Sequence, residues 1–434
     1  MFFNSIDFLF FLPIVFLLYW AVSKYGFHKQ NIILLFSSYV FYGWWDYRFL
    51  GLILLSTIVD YTFGLLIHKT KDNSSRKFYL YFSLIFNLGL LFIFKYFNFF
   101  IDTWLDLYSV FGFSKESSWT LNVILPVGIS FYTFQTMSYT IDIYKKQLIP
   151  TTNFISFATF VSFFPQLVAG PIERASNFLP QILKPRNFSY KQGIDGMRLI
   201  LFGMFKKVVI ADTLAPYVND IFNNYESYGG GTLWLGAVFF AFQIYCDFSG
   251  YSNIARGIAK LFGIELMVNF SYPYLSRNIG EFWKKWHISL STWFRDYLYI
   301  PLGGSKLGNW GSLRNIFVIF IVSGFWHGAN LTFIFWGFIH ALLYVPSFIL
   351  KSNRKHLNSV VAENSIFPSI REIFQIFKTF ISVTIAWVFF RADNITIAFE
   401  YIYKMFSDLS NIDFFVKPIL LVILMYSIDY LIFK

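Results

Sequence analysis

Long runs of apolar residues dominate this chain and restrict it to one class of structure. A helix that crosses a bilayer needs about 20 mostly apolar residues, and the chain contains about eleven such runs. They lie near residues 6–23, 31–50, 50–68, 78–100, 119–143, 197–218, 232–255, 315–328, 331–350, 372–391 and 414–434. The pattern therefore predicts an all-α, polytopic membrane protein that forms a single transmembrane domain over 1–434.

The composition excludes an ordinary soluble domain. Hydrophobic residues make up 56% of the chain and charged residues 14%, whereas soluble domains carry roughly a quarter charged residues. The first run lacks a basic start and a small-residue cleavage site, so we expect a retained helix and not a signal peptide. The chain ends at Lys434, soon after its last predicted helix begins, so we expect either a short protein or an incomplete C-terminus.

The net charge of +11 fits a membrane protein better than a nucleic-acid-binding one. Lys and Arg collect in cytoplasmic loops, and they do so here in alternate loops. The basic loops hold Lys24 and Lys29, then Lys69, Lys71, Arg76 and Lys77, then Lys145 and Lys146. This alternation predicts an external N-terminus. We expect the lipid bilayer as a partner, no nucleic acid, and a multi-pass protein of the cytoplasmic (inner) membrane.

Two stretches do not read as ordinary spans. Segment 154–170 is short, contains Pro165, and precedes another basic loop, which predicts a re-entrant or in-plane segment. Residues 263–314 mix charges with Trp and Tyr, a pattern typical of interfacial amphipathic helices. The loop alternation places this polar stretch on the cytoplasmic side.

His327 is the strongest candidate for chemistry. Ionisable groups in membrane helices are costly, so they indicate function by default. His327 lies between Gly324 and Gly328, close to Asn330. Imidazole can exchange a proton near neutral pH, which suits a general base. For His340, in the following helix, a structural hydrogen bond is the preferred interpretation.

Other polar groups are weaker candidates. His287 follows two lysines and precedes Ser289; from spacing alone, an incidental histidine and a lining group are equally supported. Gln135 could line a cavity or bond between helices, and Asp247 requires a partner. The single cysteine, Cys246, excludes a disulfide framework. No motif indicates a metal site or a bound cofactor.

Four segments, 125–144, 163–175, 245–264 and 286–330, together with 203–215, closely resemble the membrane-bound O-acyltransferase family. The similarity is to its bacterial branch of alginate and peptidoglycan O-acetyltransferases. The resemblance implies a ring of tilted helices around a central tunnel. It also places the invariant family histidine at His327 and a second family position at His287.

The resemblance further implies an acyl, chiefly acetyl, transfer from a cytoplasmic thioester such as acetyl-CoA to an external polysaccharide hydroxyl. It implies a separately encoded, extracytoplasmic SGNH esterase-like partner. His327 would act as base, and Asn330 or a backbone N–H near Gly328 would stabilise the oxyanion. The residues expected to line the donor side and the tunnel are Gln135, Asp247, Lys284, Lys285, Ser289, Arg295 and Asn330.

Two alternatives stay open at this point. The first is the related transfer of D-alanine from a carrier protein to teichoic acid. The second is a transporter or a non-catalytic scaffold, which predicts paired repeats with broken helices that the sequence does not show.

Overall fold

The structure, a computed structural model, describes residues 1–110, 124–168, 170–355, 361–363, 365–408, 412–413 and 415–433. Within these ranges the chain is helical and has no β-strand, which confirms the predicted all-α class. In chain order the helices are α1 (Ile6–Ala21), α2 (Phe27–Asp46), α3 (Leu50–Lys69), α4 (Asn73–Leu91), α5 (Phe97–Val110), α6 (Ile129–Tyr144), α7 (Phe154–Ser162), α8 (Phe164–Leu167), α9 (Ala175–Ile182), α10 (Tyr190–Met204), α11 (Asp212–Asn223), α12 (Gly230–Leu261), α13 (Ile279–Lys285), α14 (Ile288–Phe294), α15 (Gly308–His327), α16 (Leu331–Ile349), α17 (Ile370–Arg391), α18 (Ile395–Ser407) and α19 (Val416–Phe433).

Six helical segments of the described chain are long and apolar enough to cross a membrane. They are Phe27–Lys69, Asn73–Ser109, Gly230–Leu261, Leu331–Ile349, Ile370–Arg391 and Val416–Phe433. The first contains both α2 and α3, so two of the predicted spans form one continuous helical segment. A polytopic membrane protein is therefore confirmed. The number of crossings stays a prediction, and part of the predicted span 119–143 lies outside the described residues.

The chain divides into two compact units. Unit 1 comprises Met1–Phe202 and Tyr251–Met267, and unit 2 comprises Gly203–Gly250 and Val268–Lys434. Helices α10 and α12 each contribute residues to both units. The sequence predicts one domain over 1–434. The division into two compact units does not test that prediction.

In unit 1 the segment predicted to be re-entrant is broken and buried. Helix α7 ends at Ser162, and the backbone at Phe163 leaves the helical region before α8 begins. From Ser156 to Leu167 every side chain is buried. Irregular backbone inside a membrane is tolerated where protein covers it, so this burial suits the predicted interruption.

Unit 2 contains a close pair of helices, α15 and α16. A Cβ on Gly324 would lie 2.1 Å from the carbonyl oxygen of Phe333, and one on Gly337 would lie 2.2 Å from that of Phe320. Only glycine lets two helix backbones approach this closely. Gly324, one of the glycines that flank His327 in the sequence, therefore permits a close approach between two helix backbones, and Gly337 does the same from α16.

The polar stretch 263–314 is less regular and more buried than the sequence suggests. It forms two seven-residue helices, α13 and α14, then a π-helical turn at Arg295–Tyr299. Arg277 and Glu281 form a buried ion pair of 3.1 Å. A long surface amphipathic helix would leave such charges in water, so the predicted interfacial helices are only partly matched. This stretch supplies one wall of the candidate site.

Candidate active site

His327 is the last residue of α15 and is half-buried. The next residue, Gly328, is extended, and a Cβ there would lie 2.1 Å from the ring of Phe333. The helix therefore ends where a side chain at 328 has no room. Its terminus holds the imidazole among aromatic rings, with centroid distances of 5.3 Å to Trp336 and 5.2 Å to Phe390.

His287 occupies the tight junction between α13 and α14. Its φ of 43° is left-handed, a conformation that costs a residue with a side chain of order 1–3 kcal/mol and is often found at functional sites. Asn269 holds this junction. Its carbonyl oxygen accepts from Ile288 N at 2.9 Å, and its side-chain oxygen accepts from Ser289 N at 3.2 Å. Asn269 thus caps α14 in place of His287, whose side chain points elsewhere.

The two histidines predicted to be catalytic lie side by side in unit 2. Their ring centroids are 6.4 Å apart, at an interplanar angle of 60°. Trp326 and Phe248 pack against His287 at 6.0 and 4.7 Å. Residues 40 positions apart therefore form one cluster, although the sequence offers no periodicity that links them.

His287 is enclosed but chemically unsatisfied. It is 1% exposed, and neither ring nitrogen has a hydrogen-bond partner on another described residue. Burial lowers the pKa of His287 to about 3, because the apolar surroundings disfavour the imidazolium. The ring is therefore neutral at physiological pH. One nitrogen can donate to, and the other accept from, a molecule that enters the cluster.

His340 belongs to the same aromatic cluster. It is fully buried, and its ring lies 4.8 Å from Trp336 and 4.9 Å from Trp283. Its nitrogens also have no hydrogen-bond partner among the described residues. The structural hydrogen bond expected for His340 is therefore not found there. Its role stays a prediction, and Trp336 contacts both His340 and His327.

A cavity of about 350 Å³ lies beside this cluster. Lys284 and Arg295 contribute charge to it, and Trp283 contributes an apolar wall. Ser323 also lines it and precedes His327 by four residues, so both side chains lie on one face of α15. This spacing is the sequence signal that could have revealed Ser323. The cavity therefore borders the helix face that carries the candidate base.

Lys284 and Arg295 thus line a cavity, where Lys284 Nζ donates to the carbonyl of Asn353 at 3.2 Å and Arg295 pairs with Asp296 at 2.7 Å. Their role in donor binding stays a prediction, and three other predicted residues have structural contacts outside this cavity. Lys285 pairs with Glu281 at 2.9 Å and does not line the cavity. The Ser289 hydroxyl donates to Asn269 at 2.7 Å. Asn330 caps α16 through Thr332 N at 3.0 Å and donates to the carbonyl of Asp393 at 2.9 Å. With both ends of its amide engaged, Asn330 is a poorer oxyanion donor than a backbone N–H.

Asp247 and Gln135 lie apart from the histidine cluster in their contacts. Asp247 pairs with Lys207 at 2.6 Å, which confirms the expected partner, although the carboxylate is half-exposed. Gln135, in unit 1, accepts from Gln166 at 2.9 Å and donates to the carbonyl of Phe160. These contacts match the interhelical alternative for Gln135. Its place in a tunnel stays a prediction.

The sequence reading missed Asn269 and Trp336. Asn269 lies 18 residues before the histidine that it positions, in a segment without regular structure, so no local pattern marks it. Trp336 contacts both His327 and His340. Its offset of four residues from His340 was the available signal, because such pairs share a helix face.

Comparison with known proteins supplies the remaining observations. Residues 40–368 match the model of the membrane-bound O-acyltransferase family. The chain is 38% identical over 410 residues to a probable alginate O-acetylase of Pseudomonas aeruginosa, covering 94% of this chain and 75% of that protein. It is 36% identical to the peptidoglycan O-acetyltransferase of Helicobacter pylori, covering 92% and 78%. A teichoic acid D-alanyltransferase of Bacillus subtilis is 29% identical over only 54% of this chain and 62% of its own length.

Proposed function

Since the chain belongs to the membrane-bound O-acyltransferase family and is an O-acetyltransferase of the alginate and peptidoglycan type, we propose that it passes an acetyl group from a cytoplasmic thioester to an extracytoplasmic polysaccharide. The observation that carries this proposal is the pair of rings, His287 and His327, in one aromatic cluster beside a cavity. A scaffold or transporter has no need for this pair.

In the proposed reaction His327 is the general base. Its neutral imidazole takes the proton of the attacking hydroxyl, and the oxygen bonds to the thioester carbonyl carbon. The C–S bond then breaks, and the departing thiolate takes a proton, so that an ester and a free thiol result. General-base catalysis of this kind contributes roughly 100- to 10,000-fold to the rate. The half-buried position of His327 leaves it accessible to substrate.

The cavity beside α15 suits the donor. Acetyl-CoA, the proposed donor, combines phosphates with a narrow pantetheine arm that ends in the thioester. Lys284 supplies positive charge for phosphates, Arg295 adds a guanidinium that is paired with Asp296 at 2.7 Å, and the Trp283 wall suits the arm. Ser323 lines the cavity and lies one helical turn before His327 on α15, so the thioester end of the arm would face the base. We assign Lys284 and Arg295 to donor binding and His287 to the donor side of the transfer.

The acceptor follows from the relatives. Those named above act on alginate and on peptidoglycan, and both are polysaccharides outside the cytoplasm. We therefore propose a polysaccharide hydroxyl as the acceptor, an inner-membrane location, and a separate SGNH esterase-like protein that completes the delivery. The charge alternation of the loops, which puts the 263–314 stretch on the cytoplasmic side, supports a cytoplasmic donor.

The test is loss and restoration of glycan esters. We expect deletion of the gene to remove alkali-labile acetate from the cell's polysaccharide, and wild type to restore it. His327→Ala should restore none while reaching the same level in membranes. His28→Ala is the matched control, because His28 is exposed and lies in unit 1. Normal acetylation with His327→Ala would overturn the assignment.

D-alanyl transfer to teichoic acid is the second candidate, favoured by the partial match to a teichoic acid D-alanyltransferase. The same alkaline release separates the two reactions, because one yields acetate and the other D-alanine. We expect acetate, since the O-acetylating relatives match nearly the whole chain.

A further inference from the structure

A second cavity, remote in sequence from the histidines, lies within unit 1. It has a volume of about 380 Å³, and its walls come from the end of α3, the start of α4 and the end of α6. We call it the basic cavity. Three permanent cations line it, Lys71, Arg76 and Lys146, together with His68. None of its described lining residues carries a carboxylate.

Arg76 forms the fixed part of the basic cavity. It is 8% exposed, and its guanidinium donates to the carbonyls of Ile67 at 3.1 Å and Tyr144 at 2.7 Å. It also packs over the Tyr144 ring at 5.1 Å. A third, longer bond of 3.5 Å joins its Nη1 to the side-chain oxygen of Asn73. A guanidinium has five N–H groups, and these three bonds leave others for an incoming acceptor. None of these hydrogen-bond partners carries a negative charge.

Lys71 and Lys146 add charge that the described protein does not neutralise. Lys71 lies in the short connection between α3 and α4, and Lys146 follows the end of α6. Neither forms an ion pair with a carboxylate in the described residues. Lys146 has a left-handed φ of 60°, which reverses the chain and brings Leu148 N to the carbonyl of Asp142. This turn places Ile143 and Leu148 beside Lys146 in the cavity wall.

The position of the basic cavity identifies the kind of ligand. One apolar segment ends at Lys69 and the next begins at Asn73, so the cavity lies where two candidate membrane spans meet the aqueous boundary. Ile149, also in its wall, is 78% exposed. The cavity wall combines cations with apolar side chains, of which Ile149 is exposed, and a phospholipid likewise combines a phosphate with acyl chains.

We propose that the basic cavity of unit 1 binds the phosphate of an anionic phospholipid headgroup, with an acyl chain against Ile143, Leu148 and Ile149. The volume lies within the range of small-ligand sites, about 300–1,000 Å³. The charge bias of cytoplasmic loops explains why these lysines are on one side, but it does not explain why two separate loops converge on one cavity. The proposal does not depend on the acyl-transfer reaction.

The test measures lipid binding by the purified full chain. Native mass spectrometry reports how much dioleoylphosphatidylglycerol, and in a parallel sample how much dioleoylphosphatidylcholine, stays bound. We expect preferential retention of the anionic lipid by the wild type. The double variant Lys71→Gln/Lys146→Asn should bind it about 30-fold more weakly, given about 1 kcal/mol per lysine. Asn is chosen at 146 because it tolerates the left-handed backbone.

The matched control is Lys24→Gln/Lys29→Gln, which removes equal charge from another basic loop of unit 1. It should bind phosphatidylglycerol within about 2-fold of wild type, since each exposed lysine outside the site contributes little. An equal loss in this control, or equal binding of both lipids by wild type, would overturn the proposal. If the double variant unfolds, Lys71→Gln alone should weaken binding about 5-fold.

Two competition arms separate other ligands with related chemistry. Inorganic phosphate or glycerol 3-phosphate should not displace the lipid, because neither can use the apolar wall. Displacement by these ions at similar concentrations would assign the cavity to a soluble phosphate compound. Displacement by poly-glutamate would assign it to an acidic protein surface, and either result would refute the lipid assignment.

Discussion

Two buried polar clusters, one in each unit, differ in whether their buried polar atoms form hydrogen bonds with other residues. In unit 1 the fully buried Asp60 accepts hydrogen bonds from Ser83 Oγ at 2.5 Å and Asn87 Nδ2 at 2.9 Å. In unit 2 the fully buried rings of His287 and His340 have no hydrogen-bond partners among the described residues. Both clusters are costly to bury, but only the first is satisfied by the protein itself.

Hydrogen bonding therefore distinguishes a structural polar cluster from a candidate functional one better than burial alone does. Asp60 on α3 is bonded to residues of α4, and Thr136 of α6 adds a bond to Asn87, so the network holds three helices together. In the histidine cluster, the ring nitrogens of His287 and His340 have no such partner among the described residues. This difference is what the proposed substrate site requires.

The largest expected effect comes from His327→Ala. Loss of the base should lower acetyl transfer by about 1000-fold, while the thermal unfolding temperature changes little. The measurement is ester formation in membrane vesicles with labelled acetyl-CoA. Activity within 10-fold of wild type would mean that another group takes the proton.

Asp60→Ala should have the next largest effect, but on stability. It leaves Ser83 and Asn87 without their acceptor, at about 1–3 kcal/mol for each buried group. We expect a clearly lower unfolding temperature and less protein in membranes, with unchanged activity per folded molecule. Asp60→Asn, which keeps an acceptor, is the milder control. A loss of specific activity with normal stability would erase the contrast between the clusters.

Gly324→Ala tests whether the histidine cluster depends on the close approach of α15 and α16. The added Cβ would meet the Phe333 carbonyl at 2.1 Å, and overpacking of this kind costs typically 1–3 kcal/mol. We expect reduced stability and a further loss of transfer, because His327 ends the displaced helix. Gly51→Ala is the control, since its Cβ would meet nothing within 4 Å. Equal stability of the two variants would show that α15 can shift freely.

His287→Ala should give the smallest of these effects, about a 10-fold loss, expressed as a raised KM for the thioester donor. Because the lowered pKa keeps His287 neutral well below pH 6, the transfer rate should show no ionisation of this residue between pH 6 and 8. Steady-state kinetics over that pH range provides the measurement. Unchanged kinetics in the variant would make His287 structural.

Hydropathy was enough to predict the helical class, because apolar runs such as those of α3 and α16 reflect the lipid around them. It could not predict the number of crossings. The continuous helix from Phe27 to Lys69 differs from two separate spans only at a short turn near Tyr47. The hydropathy of residues near a helix end does not indicate whether the helix continues or the chain turns back into a second span.

In the candidate site, too, the sequence indicates some features and not others. His327 could be singled out as a candidate because a histidine between glycines in an apolar run is costly to keep, and its catalytic role stays a prediction. The position of Asn269 was not, because its contacts with Ile288 and Ser289 depend on an irregular loop with no period. The engagement of Asn330 as a helix cap was equally hidden. The residues around Asn330 in the sequence are equally compatible with a helix cap and with an oxyanion donor.

The pairing of Lys206 with Asp429 bears on how the protein is assembled. Their side chains are buried, 3.7 Å apart, and Asp429 lies in α19, the last apolar helix. At the centre of a span a charged residue adds about 2.5–3.5 kcal/mol to the free energy of insertion, and Asp429, four residues from the end of α19, carries a smaller part of this cost. Synthesis delivers Lys206 more than two hundred residues earlier. The carboxylate of Asp429 therefore opposes membrane integration of α19 by itself, and we expect Lys206, synthesised first, to lower that cost when the last apolar helix inserts.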